Sequence, residues 1–258
     1  MHRALGRVRV LVCRTGAGRV RTGADAATRR VCRVGKLLVI EGLDGAGKRT
    51  LAGALTKELQ ARGASVTSRA FPRYEEDVHA ELVRDALHGR LGDLGDSVHG
   101  MAVLYALDRR AAADSLRADL DRHDVVLLDR YVASNAAYGA ARLRQDADGE
   151  FVAWIRELEI VRFGVPTPDA HLLLRVPTEL AADRAARRER ADAERVRDNF
   201  ESDADLQRRC GEVYDGLAER GWLAPWHVLD GSTVLDLGDL AETLTGHRTL
   251  NGNASQSH

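Results

Sequence analysis

The chain has 258 residues, enough for one large domain or two small ones, and its 44% apolar and 30% charged residues suit a sizeable core. A net charge of −1 argues against a protein that coats nucleic acid, and no run nears the ~18 apolar residues of a membrane span. Cys13, Cys32 and Cys210 are too few and too scattered for a disulfide framework or a zinc site, which fits a reducing, cytoplasmic setting.

Charge is unevenly spread. Residues 1–33 hold nine arginines and one acid, Asp25, so the rest of the chain is acidic. Only Lys36, Lys48 and Lys57 are lysines, a bias that points to a GC-rich coding sequence and weakens any reading of single surface arginines. Residues 1–35 show no sustained period. An Arg-rich, acid-poor stretch can be an organelle-targeting peptide, a nucleic-acid arm, or an extension upstream of the working protein. The last is favoured here, with Val34 as the true initiation position, because an ordered pattern begins cleanly at Lys36. The domain is expected over 36–247 and a disordered polar tail over 248–258.

From Lys36 onward strands and helices alternate. An apolar run (Leu37, Leu38, Val39, Ile40) ends at Glu41 as a buried strand. A helix over 48–62 follows, with Leu51, Leu55 and Leu59 at i, i+4, i+8 and Gly63 as its stop. A strand is expected over 65–70, a helix over 76–87, and a long helix over 97–120 with Met101, Leu104, Leu107, Ala111 and Leu116 on one side. The run DVVLLD over 124–129 reads as a buried strand. Helices are expected over 133–143 and 150–163, a strand over 170–175 after Pro166 and Pro168, and a helix capped by Thr178 that enters the charged stretch 183–198. A helix over 199–220, a strand over 226–229 and a helix over 237–245 complete the set. This alternation predicts an α/β fold: a parallel sheet of five strands with helices on both faces. Ligands of such sheets sit beyond the carboxyl ends of the strands.

Three strand ends carry chemistry. Gly42-Leu43-Asp44-Gly45-Ala46-Gly47-Lys48 lies between a strand and a helix start, the order of a phosphate-binding loop. Its glycines let successive N–H groups point into one concavity, the helix adds its positive end, and Lys48 adds a mobile charge. The Ser/Thr usual after the lysine, a Mg²⁺ ligand, is Arg49 here, with Thr50 one place later. Asp44 is then the nearest acid for the metal. Asp129-Arg130 ends a second strand: the acid can organise Mg²⁺ or water and the arginine can fork onto a phosphate. Phe71-Pro72-Arg73-Tyr74 ends a third, where Arg73 can bind a phosphate while Phe71 or Tyr74 packs on sugar or base. Finally, residues 183–198 interleave Arg184, Arg187, Arg188, Arg190, Arg195 and Arg197 with acids. Such a run is commonly a solvated helix face; in a kinase it can be a lid that closes over ATP.

The combination EGLDGAGKRT, FPRY, ALDR (106–109) and LDRYVASNAAY (128–138) resembles bacterial thymidylate kinases, particularly the actinobacterial form, over residues 36 to about 244. The resemblance implies a P-loop NTPase fold of the nucleoside monophosphate kinase type, the reaction ATP + dTMP ⇌ ADP + dTDP with Mg²⁺, a place in dTTP biosynthesis, and a homodimer. By position it implies that Gly42, Asp44, Gly45, Ala46, Gly47, Lys48, Arg49 and Thr50 form the ATP site. Phe71, Arg73, Tyr74, Arg130 and Asp44 would hold the dTMP phosphate and sugar, Tyr105 would stack on thymine, and Arg109 would donate to O4. Asn135 would bond the base edge and Tyr138 would pack under the deoxyribose. Asp44 and Glu201 would serve the metal, and Phe200 departs from a Tyr common in these relatives. Gly45 lacks the loop arginine of eukaryotic-type enzymes, so the catalytic arginine is expected from the lid, Arg184 or Arg188. With Arg109 a donor only, a carbonyl at position 4 fits and cytosine does not. Other readings are another nucleotide or deoxynucleoside kinase on the same scaffold, a P-loop switch, for which no switch or base-reading motif is seen, and nucleic-acid binding through 1–33. Neither a nucleic-acid nor a membrane partner is expected.

Overall fold

The computed structural model describes residues 34–191 and 203–245. Five strands, β1 (Lys36–Glu41), β2 (Val66–Ala70), β3 (Val125–Asp129), β4 (Ala170–Arg175) and β5 (Trp226–Asp230), form one parallel sheet in the order β2-β3-β1-β4-β5. The three inner strands are continuous apolar runs because helices cover both their faces, whereas β2 and β5 at the edges are half-exposed. Register fixes the functional end: Ile40 pairs with Asp129, and Ala70 on β2 pairs with the same residue. The segments that follow Glu41, Ala70 and Asp129 therefore emerge side by side, as the alternation predicts.

The helices are α1 (Lys48–Ala61), α2 (Val78–Leu87), α3 (Val98–Arg122), α4 (Val132–Arg142), α5 (Glu150–Ile155), α6 (Thr178–Ala191), α7 (Ala204–Glu219) and α8 (Leu237–Thr245). Several boundaries shift for local reasons. Ser65 stays out of β2 because its N–H and hydroxyl both donate to Asp124 Oδ2 (2.9 and 2.7 Å). The second helix begins at Val78, not 76, because Asp77 caps it by accepting from His79 N at 2.8 Å. Thr178 is the first turn of α6 and not its cap; Ala181 N bonds Pro177 O instead. The single helix expected over 150–163 is α5 followed by a π-helical stretch, Arg156–Arg162. Helix α7 starts at Ala204 behind an Asp203 cap, and the expected start at 199 lies outside the described residues. Residues 1–33, the lid beyond 191 and the tail after 245 lie outside them too.

The main core lies on both sides of the sheet, with α4 packed on α7 and α1 on α8. A satellite cluster of Val83, Ala86, Leu87 and Met101 joins α2 to α3, with Tyr105 packed against it. Of the apolar stripe on the long helix, Met101 and Leu116 are buried within this chain, Leu104 and Leu107 are half-buried and Ala111 is exposed. Inside the sheet His171 is fully buried, stacks on Trp226 at 4.3 Å, and has no hydrogen-bond partner on either ring nitrogen among the described residues. Burial pushes its pKa down to about 3, so it is neutral. Among the described residues no helix is long and apolar enough to cross a membrane.

Candidate active site

A cleft of about 1150 Å³ opens beyond the carboxyl ends of β1, β2 and β3. It is lined by Asp44, Gly45, Gly47, Lys48, Arg49, Thr50, Phe71, Arg73, Tyr74, Tyr105, Arg109, Arg130, Asn135, Tyr138 and Arg184. Sequence positions about 140 residues apart thus meet in one place. Gly42 and Ala46 are buried in the loop beneath. The side chain of Arg188 and all of Glu201 and Phe200 lie outside what is described.

The loop's shape depends on its glycines. Gly42, Gly45 and Gly47 have φ of 142°, 80° and 102°. A Cβ on Gly42 would stand 2.6 Å from Leu174 O, a backbone atom that cannot yield. Gly47 then caps α1 with no side chain on the helix's first N–H groups and no acid in its first turn, so that positive end remains available to an anion. Lys48 is buried, with Nζ donating to Gly42 O (3.1 Å) and Leu43 O (2.9 Å). Burial, then the Arg130 charge, pull its pKa down to about 8, against the attraction of Asp44.

Asp44 and Arg130 form an ion pair that joins the loop to the end of β3. Tyr138 donates to the other Asp44 oxygen at 2.6 Å, and the Arg130 guanidinium lies 5.3 Å from the Tyr138 ring centroid. Burial alone would raise the Asp44 carboxyl, but Arg130 and Lys48 outweigh it and hold it well below the usual carboxylate range. Burial and the Asp44 charge push the Tyr138 phenol well above its ordinary value, so it remains a donor. Arg130 itself sits at φ 67°, a left-handed conformation that costs a non-glycine residue on the order of 1–3 kcal/mol and clusters at functional sites.

The wall opposite is built on β2 and α3. Arg73 Nε donates to Asp108 Oδ1 at 2.7 Å, its backbone N to Asp108 Oδ2 at 3.0 Å, and its Nη2 to Asp108 O at 2.8 Å and to Asp77 at 3.0 Å. The Phe71 ring lies under this guanidinium at 5.8 Å and packs on Tyr131. One residue past Asp108, buried Arg109 pairs with Glu159, whose carboxylate also accepts from Asn135. Burial would lower the Arg109 pKa, but Glu159 raises it above its ordinary value. Arg184, from α6, reaches back to Ala46 O and Gly231 O, both at 3.2 Å, which brings α6 onto the phosphate loop.

Three residues that sequence reasoning passed over hold this together. Glu41 is fully buried and accepts from Tyr131 N (3.0 Å), Ser134 Oγ (2.6 Å) and Tyr214 OH (3.0 Å), so the strand that feeds the phosphate loop is also tied to the start of α4 and to α7. Burial raises its carboxyl pKa despite those bonds. Asp108 and Glu159 anchor the two arginines. For Glu41 the available signal was an acid closing an apolar run, directly after Ile40.

The residues suit Mg²⁺. The Asp129 Oδ1 atom is buried in the cleft wall with no hydrogen-bond partner among the described residues, while both Asp44 oxygens are engaged by Arg130 and Tyr138. No set of three His, Cys, Asp or Glu clusters among the described residues. Mg²⁺ needs none, since one or two carboxylates, water and substrate phosphates suffice.

A phosphate loop at the head of α1, facing a cleft with its own guanidinium groups and buried polar side chains, defines a P-loop nucleoside monophosphate kinase. The family model for thymidylate kinase matches residues 40–232. The thymidylate kinase of Mycobacterium tuberculosis H37Rv is 50% identical over 208 residues, 81% of this chain and 96% of that one. That of Xanthomonas oryzae pv. oryzae is 39% identical over 206 residues, 78% of each chain, and that of Xanthomonas campestris pv. campestris 36% over the same length. The chain belongs to the thymidylate kinase family; it is a kinase that phosphorylates dTMP.

Proposed function

We propose that the chain transfers the γ-phosphoryl group of ATP to dTMP, giving dTDP for dTTP synthesis in the cytoplasm. The observation that carries this reading is that one cleft holds the loop at the head of α1, Arg130 paired with the loop's Asp44, and also Arg73, Arg109 and Asn135. ATP phosphates take the loop amides and Lys48, with Arg49 and Thr50 at the helix start. The dTMP phosphate lies between Arg73 and Arg130, near Asp44 and Tyr74. Thymine stacks on Tyr105, with Arg109 at O4 and Asn135 at N3, and Tyr138 packs beneath the deoxyribose.

The acceptor phosphate is already anionic, so no strong general base is needed; the side chains hold two anions in line and neutralise developing charge. Arg184, already on the loop, is the first choice for the charge on the transferring group. Asp129 and Glu201, with Asp44 through the lone pairs that Arg130 and Tyr138 leave open, would hold Mg²⁺, which when bound neutralises the phosphates and orients them. The homodimer reading rests on the family likeness; the apolar face of 97–120, an interface candidate by pattern, has Met101 and Leu116 buried within this chain.

A coupled ADP-release assay with dTMP, dUMP, dCMP, AMP and thymidine tests the reading. Turnover with dTMP is expected to lead. The thymine methyl contributes only ~1 kcal/mol of burial, so dUMP should be a roughly 5- to 10-fold poorer substrate, and dCMP far poorer. Equal rates with dCMP and dTMP would refute the role of Arg109.

A further inference from the structure

Glu159 lies behind the cleft wall, fully buried, in the π-helical stretch after α5. Such wide turns are uncommon and recur at functional sites. Its Oε2 accepts from Arg109 Nε at 2.5 Å, and its Oε1 accepts from Arg109 Nη2 at 2.7 Å and from Asn135 Nδ2 at 2.8 Å. The same Asn135 Nδ2 donates to Ala102 O at 3.0 Å. An ionised carboxylate and a carbonyl are acceptors only, so both hydrogens of the carboxamide must point to Glu159 and Ala102. Asn135 Oδ1 is thereby turned away from them. On Arg109, Nε and Nη2 form the fork to the carboxylate, which leaves Nη1 outside the fork on a residue that lines the cleft.

We propose that Glu159 is the positioning residue that sets pyrimidine choice: by fixing Asn135 and Arg109 together it presents an acceptor and a donor, in that order, to the base edge. The proposal rests on the reading that these two side chains face the base. A 2,4-dione pyrimidine offers N3–H and O4, which match acceptor and donor. Cytosine offers a bare N3 and an amino group, which reverse both. A carboxamide free to turn would accommodate either base at N3; one held by Glu159 together with Ala102 O cannot. Buried polar mismatches of this kind discriminate by up to about 10⁴–10⁵.

The test is Glu159→Gln in the full chain. A glutamine side chain can donate to Asn135 Oδ1, so Ala102 O alone still holds the carboxamide and its NH₂ can turn to the base more readily. The expected result is a kcat/KM for dTMP lower by about 30- to 100-fold, mostly through KM, and a dCMP-to-dTMP ratio of kcat/KM that rises at least about tenfold. Glu159→Asp keeps an acceptor-only anion, so its dTMP KM should rise while the ratio stays at the wild-type value. A folded Glu159→Gln protein in which both substrates lose activity in proportion would overturn the proposal. Should that variant fail to fold, the wild-type chain decides by NMR. The Asn135 side-chain NH₂ resonances should stay nearly still when dTMP is added, and a shift on the scale of a new hydrogen bond would overturn the assignment. Wild-type turnover of dTMP is measured alongside: its absence would overturn the parent reading and this one with it, whereas its presence with an unmoved ratio overturns this one alone.

Discussion

The Tyr138 hydroxyl donates to the Asp44 carboxylate across 2.6 Å, tying α4 to the phosphate loop at the point where Arg130 pairs with the same acid. Hydrogen bonds to charged groups are worth about 1.5–3 kcal/mol. Tyr138→Phe should therefore raise the dTMP KM by roughly tenfold while the ring still excludes a 2′-hydroxyl. Tyr138→Ala should in addition lose much of the preference for the deoxynucleotide. Comparing kcat/KM for dTMP and its ribose counterpart in the two variants checks both statements.

Lys48 should make activity and stability move in opposite directions with pH. Burial first, and then Arg130, bring its pKa to about 8, so the cation that meets phosphate is lost as pH rises through that value. The kcat/KM for ATP, which reports the free enzyme, should fall above pH 8. The unfolded chain keeps that proton up to about 10.5, so between 8 and 10.5 the unfolded state binds more protons and folding stability rises with pH. Lys48→Met should abolish most turnover and flatten the stability gain, read by urea unfolding at pH 7 and pH 9.5.

Arg184→Ala should lower kcat by about 10²- to 10³-fold and leave the dTMP KM within about threefold, as expected for charge delivered mainly to the transition state. Arg184→Lys keeps the charge but loses the planar fork that reaches Ala46 O and Gly231 O, and should fall in between. Steady-state kinetics of the pair are sufficient. Unchanged kcat in Arg184→Ala would move the role elsewhere on the lid.

His171 should be an acid-sensitive point of the fold. Its pKa falls from 6.5 to about 3 because burial disfavours the imidazolium. The unfolded state therefore binds the extra proton between these values, and stability is lost as pH falls through that window. The loss is about 2 kcal/mol at pH 5. His171→Phe, which retains the stack on Trp226, should be close to neutral at pH 8 and more stable than wild type at pH 5, as read by thermal unfolding at the two pH values.

The strands and the loop were legible because their signals are local. Buried runs such as 37–40 and 125–128 have no rival explanation, and a glycine turn at one end marks the functional edge. The meeting of Phe71, Arg73 and Arg130 at one edge also followed, since parallel strands place their carboxyl ends together. Roles within the pocket were not legible from pattern alone; Arg109 and Asn135 were picked out by likeness to relatives. The anchoring acids were missed for a physical reason. Asp108 and Glu159 occur in helices already rich in Asp, Glu and Arg, where a charge is ordinarily a solvated face, and only the fold shows that they are sealed inside. The π-helical turn at 156–162 likewise has no sequence signature distinct from an amphipathic helix.

The pairing of β1 with β3 has a consequence for how closely the two reacting anions can be brought. Arg130 N bonds Ile40 O at 2.9 Å, so the phosphate loop and Arg130 spring from adjacent rungs of one backbone ladder. Their separation begins as a strand spacing, ~4.8 Å, which peptide geometry sets and surface substitution leaves alone. The ruler for phosphoryl transfer is built into the most protected part of the sheet, so heat should abolish in-line alignment only when the domain itself melts.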